Sequence, residues 1–88
     1  MATTITANGI NFPDGSAGSP SIGGTDTNTG LFTGSDIVGF ATGGSERLRI
    51  DASGNVNIAN DSGKLQLGTS ADLQIYHNGT HSYLDNST

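Results

Sequence analysis

The stretch SGNVNIANDSGKLQLGTSADLQI, residues 53–75, says nearly the same thing three times: SGNVNI, SGKLQL, SADLQI. Each copy runs turn, polar residue, apolar residue, Asn or Gln, apolar residue. The copies begin at Ser53, Ser62 and Ser70, a period of nine residues and then eight. Period-two alternation places Val56 with Ile58, Leu65 with Leu67, and Leu73 with Ile75 on one face of a strand, and the intervening amides on the other. Working outward, Ile10 and Phe12 flank Asn11, and Leu31-Phe32 precedes the run IVGFA at residues 37–41. In ERLRI, Leu48 and Ile50 share one face while Arg47 and Arg49 share the other. Tyr83-Leu84 is the last strand candidate. No window has apolar residues recurring at three and four, and glycine or a turn cluster interrupts every ten residues or so. The pattern predicts an all-β chain of short repeated strands and turns.

Composition decides how such a chain fills its core. Ile, Leu, Val and Phe supply 18 of 88 residues, while Gly, Ser, Thr, Asn and Asp supply 50. That apolar share sits near the roughly 20% below which chains tend to disorder. Ordering the backbone costs about 1–2 kcal/mol per residue, and two apolar residues per strand offset little of it. A sandwich needs inward rows of large residues on both sheets. Three chains wound around one axis need only two or three residues per strand in a narrow shared core. The expected architecture is therefore an intertwined homotrimeric β-prism or triple-β-helix-like fibre, with Leu48, Ile50, Val56, Ile58, Leu65, Leu67, Leu73 and Ile75 as the trimer core. Residues 14–30 hold only Ile22 as a large apolar residue and read as linker or irregular loop. Residues 1–24 are expected as an extended attachment segment and linker, and residues 25–88 as the repetitive shaft.

Charge and chemistry exclude several function classes. The net charge is -5 with three basic residues, Arg47, Arg49 and Lys64, which leaves no basic patch for a phosphate backbone. There is no cysteine, hence no disulfide framework or thiolate metal site. No apolar run reaches the roughly 20 residues of a membrane span, and MATTITANGI lacks the basic start and apolar core of a signal peptide. Asp14, Asp51, Asp61 and Asp72 adjoin turn residues, where Asp caps backbone. No carboxylate pair lies in an apolar setting, and no G-x-S-x-G elbow is present. Residues 51–55, DASGN, lack the alternating acidic ligands of a calcium loop and read as a turn. His77 and His81 have a metal-like spacing only on a helix. Asn78-Gly79 between them marks a hairpin turn, so the expectation is a hydrogen-bonded histidine beside a hairpin. No catalytic, cofactor or metal residue is assigned.

The segment GLFTGSDIVGFATGGSERLRIDASGNVNI, residues 30–58, resembles the repetitive shaft of bacteriophage tail fibres and related virion appendages, especially those of marine phages. DLQIYHNGTHSYLDN, residues 72–86, is similar to a second recurring fibre element, and INFPDGS, residues 10–16, to a phrase near the start of such proteins. The resemblance implies a homotrimer attached to the virion through its N-terminus, docking on a tail, baseplate or adaptor protein. Host receptor recognition would lie in a distal part not among these residues. It also implies a virion location after synthesis in the host cytoplasm. Ile5, Ile10 and Phe12 are the expected docking residues, being apolar in the section least able to form its own core. Rival readings are a head decoration or head-fibre protein, a tailspike-type carbohydrate-binding fragment, and a bacterial adhesin repeat.

Overall fold

In a computed structural model, which describes residues 4–6 as backbone and residues 9–86 in full, the chain is all-β and every strand pair is antiparallel. The strands are β1 (Thr4–Thr6), β2 (Gly9–Asn11), β3 (Ile22–Gly23), β4 (Gly30–Gly34), β5 (Ile37–Thr42), β6 (Ser45–Ile50), β7 (Val56–Asn57), β8 (Lys64–Leu67), β9 (Leu73–His77) and β10 (Ser82–Asn86). They form a β1-β2 hairpin, a five-stranded sheet in the order β3-β4-β5-β6-β7, and a three-stranded sheet in the order β10-β9-β8. The chain divides into two compact units, Met1–Asn57 and Ile58–Thr88, described separately below.

The five-stranded meander turns on residues that tolerate left-handed backbone. Thr42 pairs with Ser45 across Gly43-Gly44, both at positive φ, the geometry a two-residue hairpin requires. The loop before β4 clamps this turn. Thr29 Oγ1 accepts from Gly43 N at 3.1 Å, Asn28 O accepts from Gly44 N at 2.8 Å, and Thr29 Oγ1 donates to Asp26 at 2.9 Å. Between β6 and β7 the Asp51 carboxylate gathers the turn, as described below.

The buried centre of this unit is small: Phe32 and Ala41 are its only buried large or aliphatic side chains among the described residues. Phe32 on β4 lies directly opposite Gly39 on β5. Its ring occupies the space a side chain at residue 39 would need: a Cβ there would overlap Phe32 Cζ and lie 2.6 and 2.7 Å from Cε1 and Cε2. Gly39 is thus the floor on which the one large buried ring rests.

Three expectations are corrected. Residues 14–30 are not a free linker: Ile22–Gly23 pairs with Leu31 and Gly30, Gly15 N donates to Thr33 O at 3.1 Å, and Thr33 Oγ1 donates to Asp14 at 2.9 Å. Backbone and short polar side chains hold this segment, so its apolar content was no guide. Residues 1–24 are for the same reason not simply extended, since they hold a hairpin and β3. Third, a β-bulge where the β5–β6 register shifts, between Phe40 and Ala41, leaves Arg47 as the extra residue. Arg47 Nε donates to Thr42 Oγ1 at 2.8 Å, while Arg49 pairs with Glu46 at 2.7 Å. The two arginines therefore do not share a face.

The second unit is a β8-β9-β10 meander. Residues 78–81 connect β9 to β10 as a hairpin loop, with Asn78 N donating to His81 O at 3.1 Å and Gly79 at positive φ. The Asn78 side chain accepts from Thr80 N and His81 N, closing the turn.

Candidate functional site

Register assigns every strand residue to a face. In the five-stranded sheet, Ile22, Leu31, Phe40 and Leu48 lie in one cross-strand row, and Thr33, Val38, Ile50 and Val56 in the next. Both rows project from the face opposite Phe32. Apart from half-buried Leu48, every large apolar side chain in them is substantially exposed, Val56 at 67%. No ionisable group lies in either row. An apolar sheet face of this extent normally meets another layer.

The three-stranded sheet repeats the arrangement. Leu65, Ile75 and Leu84 form one row, with Leu84 73% exposed; Leu67, Leu73 and Asn86 form the row on one side of it, and His77 and Ser82 that on the other. The opposite face carries a row of different character, Lys64, Tyr76 and Tyr83. The tyrosine rings stack with centroids 4.9 Å apart, and Lys64 Nζ sits 4.4 Å from the Tyr76 centroid. One face of this sheet is therefore apolar and open at its centre, with His77, Ser82 and Asn86 at its ends, and the other is held together by its own side chains.

Of the expected core residues, Leu48, Ile50 and Val56 fall together on the first apolar face, and Leu65, Leu67, Leu73 and Ile75 together on the second. Ile58 does not continue a strand. β7 stops at Asn57, and Ile58 packs over Gly63 and lines a shallow concavity with Ile75 and His77. Ile10 and Phe12 line a groove with Ile22, Leu31 and Val38, at the margin of the first apolar face. The Ile5 backbone pairs with Ile10, and its side chain lies outside the described residues. Ile22, Leu31, Val38, Phe40 and Leu84 also lie on these surfaces and were not among the expected core residues; all but Ile22 fall in stretches that alternation marks as strands.

The polar groups are absorbed locally. Four hydrogen bonds converge on Asp51: Oδ1 accepts from Asn55 N at 2.9 Å and Ser53 N at 3.0 Å, and Oδ2 from Asn57 Nδ2 at 2.9 Å and Asn55 Nδ2 at 3.2 Å. Led by the Asn55 backbone donor, these bonds hold the carboxyl down at about 2, against an ordinary 3.8. His77 Nδ1 is 2.9 Å from Ser82 Oγ, whereas His81 meets Tyr83 edge-on with centroids 6.4 Å apart. The two histidines have different partners and do not converge. Asp14, Asp26 and Glu46 bind Thr33, Thr29 and Arg49. Asp36 and Asp85 have no such side-chain partner among the described residues, and the largest surfaces left to a partner are apolar sheet face and open strand edge.

Comparison with protein-family models, with curated proteins and with solved structures gives no match.

Proposed function

We propose that the chain is a non-enzymatic structural protein that assembles through its two apolar sheet faces into a homotrimeric, β-rich shaft, and that it serves in a phage tail fibre or similar virion appendage. One observation carries the assembly reading: among the described residues each unit has a sheet with one largely apolar face that no other layer covers, while Phe32 and Ala41 are the only buried hydrophobic side chains. Burying a Val, Leu, Ile or Phe side chain contributes about 1.5–3 kcal/mol. Seven such residues on the first face and five on the second hold more of that contribution than the single-chain core does. Copies that pool these faces gain it together and cover them from other proteins. The virion address rests on the resemblance of residues 30–58 and 72–86 to fibre shafts. In that reading Ile10 and Phe12, beside the first apolar face, contact a tail, baseplate or adaptor protein, together with Ile5.

Light scattering on the purified chain tests the assembly. A mass near three times 8.9 kDa that resists dilution is the expected result. A folded monomer at all concentrations would refute it. The address is tested separately, by labelling purified virions with antibody to the chain: decoration of a tail appendage is expected, and decoration of the head alone would favour a head fibre.

A further inference from the structure

The two sheets treat their edges differently. The five-stranded sheet ends in β3 and β7, each only two residues long, and very short edge strands offer little to pair with. The three-stranded sheet ends in β8 and β10, of four and five residues. β10 contains no proline, no lysine and no register shift, and among the described residues neither strand has a partner on its outer side. A row of main-chain donors and acceptors is therefore open along each side of this sheet.

These two edges match each other. β8 and β10 both run antiparallel to β9 and so parallel to one another. Leu65 on one edge and Leu84 on the other belong to the same apolar row. On the opposite face Lys64 lies on the β8 edge and Asp85 on the β10 edge, in adjacent rows. Bringing β10 of one copy beside β8 of another in the same register puts Leu84 next to Leu65. It also puts Asp85 diagonally across from Lys64, a separation of about 7–8 Å between Cα atoms that long side chains span.

We propose that copies of the chain join edge to edge, β10 of one pairing in parallel with β8 of the next, with Asp85 of one copy facing Lys64 of its neighbour. The proposal rests on the assembly reading above and specifies its joint. Such a contact is head-to-tail, so it either closes into a ring or runs on as a filament.

The chain has no cysteine, which permits a direct test with two single variants, Leu65→Cys and Leu84→Cys. Within one chain these positions flank Ile75 two strand spacings apart, about 9–10 Å, beyond the roughly 4.4–6.8 Å that a disulfide bridges. The two variants are refolded together and oxidised, and a non-reducing gel is expected to show the mixed disulfide dimer. Leu84→Cys cross-linking with itself would show a symmetric joint and overturn the proposal. Absence of the mixed dimer from protein that scatters as an oligomer would also overturn it, while leaving the assembly reading standing. A monomeric mass throughout would remove both. As a second line, Lys64→Glu and Asp85→Lys are each expected to weaken association roughly three- to ten-fold at low salt. Combining them should restore it, and failure of the pair to restore association would refute the charge contact.

Discussion

Gly39→Ala sets two effects of opposite sign against each other, and the packing of Phe32 decides between them. A glycine within a strand is less stable than alanine by roughly 0.5–1 kcal/mol, because its backbone loses more freedom on folding. Gly39 is not among the residues at positive φ, so backbone preference alone predicts that the substitution stabilises. The added Cβ, however, would overlap Phe32 Cζ and sit 2.6 and 2.7 Å from Cε1 and Cε2, where ordinary contact begins near 3.5 Å. The ring has to move by about 1 Å or more, and it is the only large buried side chain among the described residues. Overpacking of this kind costs typically about 1–3 kcal/mol, so the net expectation is a loss of about 0.5–2 kcal/mol. Thermal unfolding at fixed protein concentration measures it, as a fall in Tm of several degrees at about 4–8 °C per kcal/mol for a chain of this size. Phe32→Leu removes the overlapping ring atoms, so the double variant should lose clearly less than the two single losses combined. A neutral or stabilising Gly39→Ala, or strict additivity with Phe32→Leu, would refute the claim that the ring rests on residue 39.

Val56→Asp separates assembly from monomer stability. On a surface residue such a change is normally worth within about 0.5 kcal/mol, yet in a shared core it buries an unpaired carboxylate. The trimer mass expected of the unchanged chain in light scattering should be lost in this variant, and an intact trimer of unchanged stability would count against the first apolar face as an interface. The turn at residues 51–55 should respond to acid. Because the folded Asp51 carboxyl titrates at about 2 and the unfolded one at 3.8, its contribution is present above about pH 4 and is lost as pH falls from there toward 2. The Asn55 amide, followed by NMR, should shift with a midpoint near 2, and Asp51→Asn should abolish that step; a midpoint near 4 would contradict the hydrogen-bond arrangement. Tyr83→Leu keeps an apolar side chain but removes the stack on Tyr76, and should lower unfolding stability by about 0.5–1.5 kcal/mol in a denaturant titration. No change would mean that the stack contributes nothing.

Alternation made the apolar faces legible in the sequence. Leu48 and Ile50, Leu65 and Leu67, and Leu73 and Ile75 are two apart, and a strand has no choice but to put such pairs on one side. Which rows they join was not legible, because register depends on loop length and hydrogen bonding. Tyr76 and Tyr83 become neighbours only because the loop between β9 and β10 has four residues, and Lys64 reaches them through a further pairing. Arg47 was misplaced because a bulge adds one residue to a strand without any mark in the side-chain pattern. β3 escaped notice for a related reason: two residues joined to β4 by backbone bonds, with one large side chain between them, leave almost no periodic signal. Ile10 and Phe12, expected to dock because that section lacks a core of its own, line a groove shared with Ile22, Leu31 and Val38.

Among the described residues every sheet pairing joins strands adjacent in sequence, from β1-β2 through β3 to β7 to β8-β9-β10. Low contact order of this kind favours quick closure, since each hairpin waits on a short loop and individual hairpins form in about 1–10 μs. Meetings between separate molecules at micromolar concentration are far slower, at roughly 10⁵–10⁷ M⁻¹s⁻¹. The meanders can therefore take shape while the ribosome is still adding later residues, at about 5–20 per second. Each copy would arrive at its first encounter with strands and turns already set, so that joining selects among formed surfaces and spares the chains from threading through one another.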